Sequence, residues 1–321
     1  MRKLVLIFML LLASRAESAD LLYFEAQGVA GYSSAQHKIT YHSAEAHDVM
    51  QKNSVGFDYL HKFSGSSGDW GTAALQARFA YNDEQHNYSP QIYNAWLKAK
   101  SSKGGFWLGH NRVAFGLASY WDTHADLLGD LTMQGINYDR DWGTGWSYDT
   151  ENGNISASLT SGTGMNYRAK GNWQAAARAS RGVLNRDNYT GGVSFMAGNV
   201  LETMGYKIMN KRPQNLWLLG ADIALNQDNF EHKFEIDAGK KAHKPLYAAL
   251  YRFSLKLDAE ERWKLEMQPA YVNSLHEESW QIGGGISYLL TADLTLRLMY
   301  QYRQQKADNV YMSQLYYYLP I

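Results

Sequence analysis

The sequence has no cysteine and only five prolines among its 321 residues. Without cysteine there are no disulfides, no thiolate metal sites and no lipid-bearing cysteine, so stability must come from somewhere else. Beyond residue 19 no stretch holds 18 continuous apolar residues, which excludes ordinary transmembrane helices. Charge of one sign is also missing. The chain carries 31 basic and 31 acidic residues, and no field suited to nucleic acid arises from that balance. What it has in quantity is aromatic: 14%, including 23 tyrosines and 10 tryptophans.

Residues 1–19 read as a secretory signal peptide. Arg2 and Lys3 precede an apolar core from Leu4 to Leu12, and small residues follow at Ala16, Ser18 and Ala19. The apolar core is too short to span a bilayer, so export is expected rather than anchoring. Residues 20–321 are expected to form one domain, with 28 basic and 30 acidic residues.

Within that domain the hydrophobic pattern has period two. In "DLTLRLMYQYRQ", Leu294, Leu296, Leu298, Tyr300 and Tyr302 share one face, while Thr295, Arg297, Met299, Gln301 and Arg303 share the other. "ERWKLEMQPAYV", "LYAALYRFSLKL" and "FEHKFEIDAG" alternate in the same way. Alternation of this kind marks strands with one apolar and one polar face. Their length separates two β architectures. Globular strands usually run about five or six residues, whereas a tilted strand needs about 9–11 to cross a bilayer. Aromatics recur near the ends of the apolar faces: Trp263 and Tyr271, then Trp280 and Tyr288. Eight residues at roughly 3.3 Å each, tilted about 40°, span on the order of 20 Å, the scale of two aromatic girdles around an apolar band. A soluble sandwich with long hairpins is the bland alternative.

Sixteen strands are expected, at 21–33, 53–64, 70–82, 90–101, 104–112, 140–150, 154–162, 172–182, 188–198, 214–226, 229–239, 245–257, 261–272, 278–289, 293–304 and 309–321. "GINYDRDWGTG" and "ETMGYKIMNK" could each add one, giving eighteen. Connections alternate between short turns ("SKG", "ENGN", "NQDN", "DAEE", "LTAD") and longer pieces (34–52, 83–89, 113–139, 163–171, 199–213). Short inner turns, longer outer loops and an even strand number are what an outer-membrane barrel has. The fold expected is all-β: a transmembrane antiparallel β-barrel.

Two segments carry a resemblance. "GGFWLGHNRVAFGL" (104–117) leads into a long loop, and the chain returns through "YDRDWGTGWSYDTENGNISASLTSG" (138–162). With the strand pattern, these resemble the bacterial general and phosphate-selective porins. "QLYYYLPI" resembles the terminal signature of outer-membrane barrels, with Ile321 in place of the usual aromatic. The resemblance implies an outer-membrane channel for passive diffusion of small polar solutes or ions, set in outer-membrane lipid, with the loop after strand five folded into the barrel and with homotrimers. No nucleic-acid partner, cofactor or metal is expected. Phosphate-selective members hold arginines on the pore loop. Aspartates stand there in this chain, so phosphate specificity does not carry over.

If apolar faces meet lipid, the alternate faces line the lumen, because Arg or Lys facing lipid at mid-bilayer costs about 2–4 kcal/mol. The lumen then receives Arg78, Lys98, Lys100, Arg178, Arg252, Lys256, Lys264, Arg297 and Arg303, with Asp222, Glu231, Glu235, Asp237 and Glu266. In "RVAFGLASYWDTHADLLGD" (112–130), a helical reading puts Asp122, Asp126 and Asp130 on one stripe and Leu117, Tyr120, Trp121, His124 and Leu128 on another. The expectation is a constriction built from Asp122, His124, Asp126 and Asp130 facing Arg78, Lys98 and Lys100, with Arg178, Arg252, Arg297, Glu231 and Glu235 along the pore.

Two other classes compete. Asp122, His124 and Asp126 could serve a barrel protease, and His110 with Asn111 hints at a lipase that lacks its adjacent serine. A barrel that sheathes or anchors a partner protein is the third class. "GGG" at 283–285 lies within a strand pattern and marks close packing rather than a phosphate cradle.

Overall fold

In a computed structural model, residues 19–44, 49–66, 68–275 and 277–321 are described. The signal peptide expected at 1–19 falls on residues 1–18 and so lies outside them, but for Ala19. The described chain forms β1 (Ala19–Ser33), β2 (Lys38–Thr40), β3 (Ser54–Gly65), β4 (Gly68–Asn82), β5 (Asn87–Ser101), β6 (Gly104–Arg112), β7 (Arg140–Thr150), β8 (Gly153–Thr160), β9 (Trp173–Arg181), β10 (Tyr189–Met204), β11 (Lys207–Gln227), β12 (Phe230–Lys241), β13 (Lys244–Lys256), β14 (Trp263–Ser274), β15 (Glu277–Leu289), β16 (Leu294–Arg303) and β17 (Asp308–Pro320). From β3 onward each strand pairs antiparallel with the next. β1 closes the ring, pairing with β17 from Tyr23↔Pro320 to Ser33↔Val310 and with β3 from Ala19↔Lys62 to Gln27↔Ser54. This is a closed barrel of sixteen strands; β2 is an extra strap beside the end of β1 (Gly31↔Thr40). Closure joins the first strand to the last and leaves no open sheet edge around the ring.

The even count puts all long connections at one end, the loop end, and the tight turns at the other. "ETMGYKIMNK" adds no separate strand. β10 and β11 instead run past the barrel as a hairpin (Glu202↔Asn210, Met204↔Lys207) with a register shift at its base.

Side chains alternate as period two requires. Phe106, Leu108, Phe195, Leu219, Ile236 and Met267 point outward and are exposed, forming the belt that faces lipid. The girdles are now visible as cross-strand pairs. Trp263 lies opposite Tyr288 toward the turn end, and Tyr271 opposite Trp280 toward the loop end. The Trp263 and Tyr288 rings sit 4.1 Å apart. One face departs from the simple alternation. On β10, β11, β13 and β14 the inward side chains nearest the loop end are apolar as well: Met196, Leu216, Leu218, Leu246, Leu250 and Val272 are all buried. They are covered by Val113, Phe115, Leu117, Trp121, Leu131 and Ile136 from the connection 113–139, and together these residues make the main hydrophobic core. The barrel therefore contains a seat for its own loop, and burying that seat drives the loop inward.

Candidate pore constriction

The connection between β6 and β7 enters the barrel at Gly116. Its backbone takes φ 56°, and a Cβ there would run into the Glu235 carboxylate, so glycine is required. Gly116 N–H donates to Ser194 Oγ at 3.0 Å, and Leu117 N–H donates to Glu235 Oε2 at 3.3 Å. The Tyr120 hydroxyl donates to Asp222 Oδ1 at 3.0 Å. Trp121 lies between two cations, with Lys233 Nζ 5.3 Å and Arg252 Cζ 4.9 Å from its ring. The chain then crosses to the opposite wall. His124 Nε2 meets Glu25 Oε2 at 2.8 Å, and its ring packs 4.2 Å from that of Tyr93. A second hydrophobic cluster holds Leu127 and Leu128 against Val29, Met299, Val310 and Met312. Gly283 makes room for it: a Cβ there would come within 2.6 Å of Leu128 Cδ2. On the return, Gln268 Nε2 donates to Gly129 O at 2.6 Å and Lys241 Nζ to Gly135 O at 3.2 Å.

The loop is not one helix. It contains two short 3-10 turns, Leu117–Ser119 and Leu131–Gln134, joined by irregular backbone. The single stripe expected for Asp122, Asp126 and Asp130 is therefore corrected, because three glycines (116, 129 and 135) break the segment into anchored pieces. Each aspartate has its own task. Asp122 Oδ2 lies 2.5 Å from Arg112 Nη2 and 3.3 Å from Arg140 Nη2, while Oδ1 accepts from the His124 N–H at 3.0 Å. Its side chain keeps 46% of its surface exposed. Burial pushes this carboxyl up, but Arg140, Arg112 and His124 outweigh it and hold the pKa well below the usual carboxylate range. Asp126 Oδ2 lies 3.1 Å from Arg252 Nη2 on the other side. Asp130 is buried behind the loop and caps the second turn, accepting from Thr132 N–H at 3.0 Å, with Oδ2 unpartnered. Burial, aided by the charge of Asp139, raises its pKa to about 6.

The basic partners expected from sequence are also corrected. Arg78 does not face the aspartates. It donates to the carbonyls of Val49 and Met50 and to Gln91 Oε1, and so fixes the first loop to the wall. Lys98 lies well below the loop and donates to Ser147 Oγ at 3.1 Å. Lys100 is exposed beside the Ser101–Gly104 turn, opposite Gly105, because strand register carries it to the turn end. The cations that do meet Asp122 are Arg112 and Arg140. Arg140 is oriented by Asn94 Oδ1 at 2.8 Å and stacks 3.7 Å over the Tyr93 ring. Their sequence signal was present in "NRVAFG" and "YDRDWG", at the two ends of the loop.

The other residues expected on the pore face do point inward. Arg178 binds Asp222 through Nε (2.9 Å) and Nη2 (2.7 Å). Arg252 also meets Glu266 at 2.6 Å and the Leu128 carbonyl at 3.0 Å. Arg297 Nη1 donates to Gln314 Oε1 at 3.0 Å. Glu231 lies among Lys233, Lys256 and Lys264 at 3.3–3.8 Å. Arg178, Arg252 and Glu235 are covered by the loop rather than open to the lumen. The His124 ring nitrogen engages Glu25, and Asp122 reaches only the His124 backbone. Among the described residues no group of three or more His, Asp or Glu is placed to hold a metal ion.

A sixteen-stranded transmembrane barrel with one loop folded into its lumen is the porin architecture. No protein-family model matches the sequence, and a search of curated proteins finds no match. Solved structures do match over nearly the whole chain. OmpT, an outer-membrane protein of Vibrio cholerae, superposes with a TM-score of 0.67 at 11% identity, over 95% of this chain and 99% of that one. Salmonella typhi OmpF in complex with daunomycin gives 0.66 at 11% identity, over 94% and 97%. The anion-selective porin from Comamonas acidovorans gives 0.64 at 11% identity, over 95% and 100%. At this identity the match establishes a porin-like fold.

Proposed function

We propose that the chain is an outer-membrane porin: a water-filled channel through which small polar solutes or ions diffuse passively. The observation that carries this reading is the loop 113–139, which crosses a sixteen-stranded lumen and leaves a charged neck at Asp122, Arg112 and Arg140. A barrel of this strand number is wide enough for an aqueous channel, and a loop seated in it sets the size limit. The loop end then faces outside and the turn end the periplasm, after export through a cleaved signal peptide at 1–19. A homotrimer fits a fold whose solved examples include a trimer form of the Vibrio cholerae OmpT. Acid and base held across a neck make a transverse field that sorts solutes by charge and dipole. Purified protein added to a planar bilayer should give stepwise, ohmic conductance increments. Folded barrel that inserts without conductance would overturn the reading.

A further inference from the structure

A basic surplus lies at the loop end, above β8–β13. Segments 161–172, 199–213 and 240–244 carry eight basic residues and one acid, Glu202. Lys241 is engaged with the Gly135 carbonyl. Lys170, Lys207, Lys211, Arg212, Lys240 and Lys244 are exposed, and none forms an ion pair with a described residue.

The β10–β11 hairpin decides where much of this charge sits. At its turn, the Tyr206 hydroxyl accepts from Ile92 N–H at 2.6 Å and donates to Ile92 O at 3.0 Å, on β5. β5 is five strands away around the ring. The hairpin therefore lies across the mouth instead of leaning out over lipid, and Lys207 follows the peg directly. Asn166 Nδ2 donates to the Tyr206 carbonyl, and the Tyr138 hydroxyl donates to Gly162 O at 3.0 Å and to Leu201 O. The hairpin, the segment 161–172 and the end of the pore loop form one stacked cover, basic on its exposed side. Beneath it, Arg112 and Arg140 are balanced by Asp122 and Asp139, so these four groups add no net charge of either sign to that of the mouth.

We propose that this mouth is an anion-collecting vestibule and that the solutes of the channel are small anions. The proposal rests on the diffusion-channel reading. Unpaired cations around an opening raise the local concentration of counter-ions, and salt weakens the effect as the Debye length falls from about 8 Å at 0.15 M to about 3 Å at 1 M.

The test is the reversal potential of bilayer-inserted protein under a potassium chloride gradient. Wild type should prefer chloride. The variant carrying K207Q, K211Q, R212Q and K244Q should show a chloride-to-potassium permeability ratio lower by about twofold or more, with the gap closing near 1 M salt. Preference for potassium in wild type, or an unchanged ratio in the variant at low salt, would overturn the proposal while leaving the channel intact. Absence of any conductance would instead overturn the channel reading. The substituted side chains are exposed at the loop-end extremities of their strands, and unchanged heat-modifiable mobility on gels confirms folding.

Discussion

Asp126 Oδ2 of the pore loop lies 3.1 Å from Arg252 Nη2 on β13, and the same guanidinium holds Glu266 and the Leu128 carbonyl. One wall residue therefore fastens the loop through its backbone and its side chain. Arg252→Met should cost about 3 kcal/mol, because Glu266 stays buried without its closest partner. Arg252→Lys keeps the charge but loses the fork, and should cost less. Denaturant midpoints of the refolded barrel, with protease sensitivity in 118–134, measure both.

Asp122 is the exposed acid at the neck. Asp122→Asn, alone or with Asp126→Asn, leaves Arg112 uncompensated and Arg140 with Asp139, and should move selectivity toward anions. One unit charge at about 4 Å in water is worth about 1 kcal/mol, so a several-fold change in permeability ratio is the expected scale. An unmoved reversal potential would remove these aspartates from the permeation path.

Asp130 predicts a pH dependence with a definite sign. Its folded pKa is about 6, against 3.8 for the ordinary carboxyl. Between those values the folded state binds more protons than the unfolded one, so stability falls as pH rises from about 4 to about 6 and then levels off. Asp130→Asn keeps the Oδ1 acceptor for Thr132 and places a neutral amide at the unpartnered position. It should stabilise the protein at pH 7.5, by at most about 3 kcal/mol, and leave it unchanged at pH 4. Melting temperatures in detergent at the two pH values distinguish this from a pH-independent effect.

Met267 lies midway between Trp263 and Tyr271 on the outward face of β14 and is exposed. Met267→Arg should cost about 2–4 kcal/mol in lipid vesicles, whereas Ser156→Arg, on the inward face of β8, should be tolerated. Similar costs at both sites would contradict the assignment of faces.

Much of the fold was legible because period two is a local signal. Leu294, Leu296 and Leu298 against Arg297 and Met299 need no knowledge of the rest of the chain, and sixteen strands followed from it; the inward fold of the loop after the fifth came from the porin resemblance. The seat for that loop was missed, although "NLWLLGADIAL" is apolar on both faces near Leu216–Leu219, which is how a strand covered on both sides reads. The neck was half legible. Asp122 and Asp126 are the proposed acids there, but their partners depend on where strands end and how the loop crosses. Arg252 lies far from Asp126 in sequence, and Lys98 is carried away from the neck by register alone. Helical spacing of the three aspartates misled because glycines and wall contacts, not local propensity, shape that segment.

The account's central claim is an aqueous passage whose width is set by loop 113–139. Swelling of liposomes containing the protein, in neutral sugars of increasing size, tests it most directly. Wild type should admit small sugars and exclude larger ones, and a variant with residues 118–134 replaced by a short glycine-serine linker should admit the larger ones. Folded wild-type barrel that passes no sugar, or a linker variant with an unchanged size limit, would contradict it.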